Sequence, residues 1–151
     1  INVLLCADAM ESNSFMTLFY AVIDTDTKSI NWIRAGHDPA IIYDPKSDLF
    51  EELQGPAGVP IGVVPDWSYE ENEKTGLEKG QVIVLSTDGI NETFNPKNEM
   101  YGKEPVLNTI RQNKNGTAED IMEAILADLN HFRKGLDIQD DVTLIVIKVM
   151  D

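Results

Sequence analysis

A chain of 151 residues with 42% hydrophobic side chains can bury a sizeable core, and one globular domain over residues 1–151 is expected. Its 26 acidic against 12 basic residues give a formal charge of −14, which repels phosphate backbones and argues against a nucleic-acid partner. No apolar run reaches the roughly 18 residues of a membrane span and no signal-peptide pattern opens the chain, so no membrane partner and a cytoplasmic location are expected.

Residues 1–12, INVLLCADAMES, read as the tail of an amphipathic helix with no start signal of its own. Cys6 cannot form an internal disulfide and is expected to be a small buried hydrophobe. Four short runs rich in β-branched and aromatic residues follow, over residues 15–24, 29–36, 40–44 and 49–53. The turn-forming stretches TDTK, HDP and PKSD between them predict an antiparallel meander. The stretch QGPAGVPIGVVPD holds three glycines and three prolines among small apolar residues, and predicts a packed loop of fixed geometry. A polar segment with an exposed strand leads to a turn at Glu78–Gly80 and then to a buried strand from Gln81. Two helical patterns come next. The clearer one opens at Thr117–Asp120 as a capping box, repeats Ile121, Ile125, Leu129 and Phe132, and stops at Gly135. A last strand over residues 142–149, inserted among the earlier ones, completes an α+β layered domain. The acidic run from Asp66 to Glu78 and the acidic face after Thr117 read as solvated surface.

Two carboxylate features stand apart from that surface. Asp88 directly follows the apolar strand VIVLST, and Gly89 removes the side chain that would crowd a ligand against the backbone. Alone, such a pair is more often an Asp-Gly turn or helix cap. Asp140 and Asp141 precede the last apolar strand, where a water-facing acidic strand mouth is the alternative. Taken together, the two features offer hard oxygen ligands at the ends of two buried strands, and a divalent cation would relieve the repulsion between them. Asp88 and Asp140 are therefore expected to meet in space.

The segments FMTLFYAVID, AGHDPAIIY, GVPIGV, LEKGQVIVLSTDGINET and QDDVTLIVIKV occur in the order and spacing found in the metal-dependent PPM serine/threonine phosphatases. The chain resembles the bacterial SpoIIE/RsbU-like branch of that family from about Asn2 to Val149. The resemblance implies a β-sandwich flanked by helices, a centre of two Mn or Mg ions, and dephosphorylation of phosphoserine or phosphothreonine by a metal-activated water. It further implies a regulatory protein of the anti-anti-sigma type as substrate, with a sensor or receiver domain upstream. Residue by residue, it gives Asp88 and Asp140 catalytic and metal-ligand roles, with Gly89 and Asp141 beside them in the metal site. His37 is read as structural, and Asp38 stands where the family carries proline. His131 receives no role.

The family's first metal motif, an Asp-x-Ser-Gly-x-Gly turn, has no counterpart here, since the first glycine is Gly36. A fragment of a longer phosphatase, or a homologue that has lost the motif, would both give this pattern, and either is expected to have little activity alone. Three functional readings follow: a phosphatase catalytic domain, a non-catalytic binding module of the same fold, and a phospho-accepting receiver-like domain.

Overall fold

In the computed structural model, which describes residues 2–6, 14–137 and 140–150, the strands and helices follow one another as an α+β chain. The strands are β1 (Leu18–Asp24), β2 (Ser29–Ala35), β3 (Ile41–Asp44), β4 (Leu49–Glu52), β5 (Asn72–Lys74), β6 (Val82–Ser86) and β7 (Leu144–Lys148). The helices are α1 (Asp88–Asn91), α2 (Lys103–Gln112) and α3 (Ala118–Arg133), and residues 2–6 are also helical. Residues 7–12 of the expected first helix, and Ile138 and Gln139, lie outside the described residues. Among the described residues no helix is long and apolar enough to cross a membrane.

The expected meander resolves into two hairpins in two different sheets. β1 pairs with β2 and β3 with β4, both antiparallel, but β2 and β3 are not partners. The two hairpins use the same turn chemistry at the TDTK and PKSD stretches. Asp24 Oδ1 accepts from the backbone N–H groups of Asp26 and Thr27, and Asp44 accepts from Lys46 N and Ser47 Oγ. Each turn ends on a left-handed residue, Lys28 or Asp48. The HDP stretch does something else. Gly36 takes φ +70°, its N–H bonds to Gly58 O at 2.8 Å, and Pro39 offers no N–H to a ladder. The far side of β2 is taken by β5 from Ile30↔Lys74 to Trp32↔Asn72, and by Gly58, bridged to Ala35, at its end.

The chain forms two compact units, Ile1–Pro39 with Leu53–Leu77 and Ala40–Glu52 with Glu78–Asp151. The first contains the sheet β1-β2-β5. Its glycine- and proline-rich loop packs as expected. Gly58 sits against Tyr69 and Trp67, Ile61 is buried, and Asn2 binds the carbonyls of Val64 and Pro65 while accepting from Gly62 N. Cys6 is buried and its thiol donates to Asn2 Oδ1 at 3.6 Å, the behaviour of a small hydrophobe with a weak donor. His37 has a structural part: its carbonyl accepts twice from the buried Arg34 guanidinium, and its ring meets Phe19 edge-on.

The second unit contains the sheet β4-β3-β6-β7. β7 is shorter than expected and lies at the edge, because β6 has β3 on its other side. The capping box forms in full at the start of α3: Thr117 Oγ1 accepts from Asp120 N at 3.1 Å, and the Asp120 carboxylate accepts from Thr117 N at 2.7 Å. Lys134 in the left-handed region, followed by Gly135, ends the helix. The apolar stripe of α3, Ile121, Ile125 and Leu129, buries against Val82, Val84 and Ile110 in one cluster. Lys148 Nζ of β7 donates to the carbonyls of Lys114 and Gly116, which ties the edge strand to the α2–α3 turn.

Tyr43 of β3 is fully buried in this unit, stacked on Phe50, and donates to Asp48 Oδ1 at 2.8 Å. Arg111 holds the same oxygen at 2.8 Å and lies over the Phe50 ring. Burial, with the Asp48 hydrogen bond second, pushes the Tyr43 hydroxyl up to about 12. Below pH ~10 both folded and unfolded chains keep this proton. Above that the unfolded chain releases it first, so Tyr43 removes stability as pH rises from about 10 towards about 12. Denaturation series across that range should show the loss, and Tyr43→Phe should flatten it. An equal slope in that variant would show that Tyr43 keeps its proton no longer in the folded chain than in the unfolded one.

Candidate functional site

β6 carries the chain VIVLS through the core, with Val82, Ile83 and Val84 buried, and emerges at Ser86 opposite Leu144 of β7. Beyond that last ladder pair the two strands stay joined. Thr87 N donates to Thr143 O at 3.1 Å, and the Thr87 hydroxyl donates to Asp141 O and accepts from Thr143 N, both at 3.0 Å. The Asp88-Gly89 turn is thereby held beside the Asp140-Asp141 segment.

Gly89 shows how close that approach is. A Cβ placed there would lie 2.6 Å from the Asp141 carbonyl oxygen and 3.4 Å from that of Asp140. Any side chain would push the two segments apart. Asp88 opens α1 and is exposed, whereas Gly89 and Ile90 behind it are buried. The short helix is secured by Thr93 Oγ1, which donates to Gly89 O at 2.7 Å and leaves that carbonyl a second lone pair. Asp140 Oδ1 accepts from Asp141 N at 2.8 Å.

A cavity of about 290 Å³ opens at this point, lined by Gly89 and Asp140 together with Glu92, Phe94, Leu136 and Asp137. Among its lining residues three are carboxylates and none is Lys, Arg or His. Such a wall concentrates negative potential, which draws a cation and repels a bare phosphate monoester. Oxygen-only donors suit a hard divalent ion such as Mg or Mn. Among the described residues no group of three His, Cys, Asp or Glu side chains is gathered closely enough to cage one. The donor chemistry therefore fits a divalent ion whose remaining positions are taken by water, and it does not amount to a closed protein site.

The structure thus brings Gly89 and Asp140 together at one cavity, with the Asp141 carbonyl against Gly89 and Asp88 directly before Gly89 at the end of β6. Reading the sequence alone did not single out Thr87, Glu92 or Asp137. Thr87 carried a signal that pointed elsewhere: a threonine directly before a helix start normally caps that helix, and only the structure shows that this one makes no side-chain cap bond.

The family model described as Stage II sporulation protein E (SpoIIE) matches residues 1–150. The chain belongs to the SpoIIE family. Two relatives of this SpoIIE-family chain come from Bacillus subtilis (strain 168). "Phosphoserine phosphatase RsbU" is 28% identical over 92% of this chain, and "Phosphoserine phosphatase RsbP" is 25% identical, also over 92%. The chain spans 40% of the first and 32% of the second. Among solved structures, the Mn-presoaked phosphatase domain of SpoIIE from Bacillus subtilis superposes with a TM-score of 0.67 at 22% identity, covering 89% of this chain and 56% of that one. The PP2C domain of SiaA from Pseudomonas aeruginosa gives 0.68 at 22% identity, over 82% of this chain and 47% of that one. These structures share the α+β arrangement of antiparallel sheets with helices.

Proposed function

We propose that residues 1–151 are one partial domain of a metal-dependent protein phosphatase acting on phosphoserine or phosphothreonine, with Asp88 and Asp140 as metal ligands, the Gly89 carbonyl and Asp141 beside them. The observation that carries this reading is the joining of Thr87 to Asp141 and Thr143 beside a cavity lined by Gly89 and Asp140, with three carboxylates and no basic residue in its lining. Family membership and two relatives named as phosphoserine phosphatases support the reaction class.

When bound, Mn or Mg ions supply a water acidified towards neutrality and charge to offset the phosphoryl oxygens. This chain's own residues have three tasks. Asp88 and Asp140 present anionic oxygens from two fixed backbones. Gly89 lets those backbones approach within contact distance. The carboxylate wall keeps anions out until cations are in place. The substrate in this reading is a phosphorylated regulatory protein of the anti-anti-sigma type, in a cytoplasmic protein with a sensor or receiver domain upstream.

Calorimetric titration with Mn should show weak binding, because Asp88, Asp140 and Asp141 leave most of the coordination to water. Asp88→Asn, which keeps shape and removes charge, should diminish it. An unchanged isotherm would take Asp88 out of the site.

A binding module that keeps the fold without catalysis is favoured by one observation, the lack of a three-ligand group among the described residues. The receiver-like reading falls. Ladders between the described strands are antiparallel, whereas a receiver needs a parallel, doubly wound sheet.

A further inference from the structure

We infer that the Thr87 hydroxyl is a positioning residue for the cation site: it sets the spacing between the Asp88 turn and the Asp140-Asp141 segment. The inference rests on the metal-site reading above and extends it to a side chain that holds no ion itself.

Thr87 occupies the residue before α1, where a threonine ordinarily accepts a hydrogen bond from the first turn of its own helix. Here that bond is absent, and the hydroxyl spends both its capacities across the gap. It gives its proton to Asp141 O and accepts from Thr143 N, each at 3.0 Å. A single oxygen thus clips both sides of Val142, directly after Asp141. The main-chain bond Thr87 N to Thr143 O at 3.1 Å would survive loss of the hydroxyl, so the strands would stay paired. What would be lost is the bond that fixes the Asp141 peptide, the same peptide whose oxygen lies against Gly89. The ladder proper has ended at Ser86↔Leu144. Beyond it, these side-chain bonds determine how far the segment carrying Asp140 and Asp141 can swing from Asp88. A cation held from both segments needs that distance kept.

The geometry also names the informative substitutions. Thr87→Val has the same shape and neither donor nor acceptor, and Thr87→Ser keeps both and drops only the methyl group. Groups that orient metal ligands typically affect affinity by about 10–100-fold, which sets the expected size. Mn binding should be followed in the 151-residue chain by calorimetry and by water-proton relaxation, beside thermal melts without metal. Thr87→Val should weaken Mn binding roughly tenfold or more while melting as a folded protein, and Thr87→Ser should bind like the wild type. Equal binding by Thr87→Val and wild type, or a serine variant as weak as the valine one, would overturn the inference and leave the ligand assignment standing. Absence of Mn binding in the wild type as well would overturn both. If Thr87→Val does not fold, hydrogen exchange decides: the Thr143 amide should be as protected in Thr87→Ser as in the wild type and should exchange faster in Thr87→Ala, and equal protection in all three would overturn the clip.

Discussion

With Mn present, a version of this domain extended to include an upstream Asp-x-Ser-Gly-x-Gly turn should hydrolyse p-nitrophenyl phosphate and a phosphoserine protein several orders of magnitude faster than the 151-residue chain, which should be nearly inactive. The 151 residues contain no such turn, and the described residues gather no three-ligand group. Phosphate-monoester hydrolysis is among the slowest uncatalysed reactions, so nearly all of an enzyme's rate depends on the arrangement of charge around the phosphoryl group. In two-ion sites that arrangement needs both ions about 3.5–4 Å apart, held from both sides. In the proposed site Asp88 and Asp140 would hold one side only. Losing the other side should cost most of the rate and not a modest fraction. High activity in the short chain would show that the turn is dispensable, and an inactive extended version would favour the binding module.

The largest stability effect is expected at Ile125. It lies in the middle of α3, fully buried, in the cluster with Val82, Val84, Val106 and Ile110. Ile125→Ala removes three carbon atoms from a site bordered by both the sheet and α2, where neighbours on several elements cannot all close in. Denaturant unfolding should show a loss of about 2–5 kcal/mol. A loss below ~1 kcal/mol would mean that the cluster repacks around the gap.

Periodicity made much of this fold legible. The spacing of Ile121, Ile125, Leu129 and Phe132, by four, four and three, announced α3, and the capping box at Thr117 fixed its start to the residue. The turn stretches after Asp24 and Asp44 gave both hairpins, since an aspartate at the first turn position carries its own hydrogen-bonding instruction. Which strands pair across a longer connection was not legible. The meander failed at Gly36–Pro39 because β2's second partner is β5, Asn72–Lys74, an expected strand whose polar residues give no pattern that names its partner. The edge position of β7 was missed for a similar reason: the apolar run Leu144–Ile147 reads as buried, yet Ile145 is nearly half exposed.

At the site, the Asp-Gly and Asp-Asp pairs could be found because carboxylates beside buried strands are unusual. Their proximity could only be an expectation until the antiparallel register of β6 and β7 was known. The role of Thr87 was hidden because a threonine in that position has an ordinary local use, and only the three-dimensional arrangement shows that the use is not made.

The central claim is that Asp88 and Asp140 share a divalent ion. A crystal structure of the chain grown with Mn, with the ion located by its anomalous scattering, tests it most directly. The account predicts a Mn peak at the cavity mouth beside Gly89, bonded to carboxylate oxygens of both Asp88 and Asp140 and otherwise to water. Mn bound to one of these aspartates while the other points away, or no Mn at the cavity under saturating metal, would contradict it.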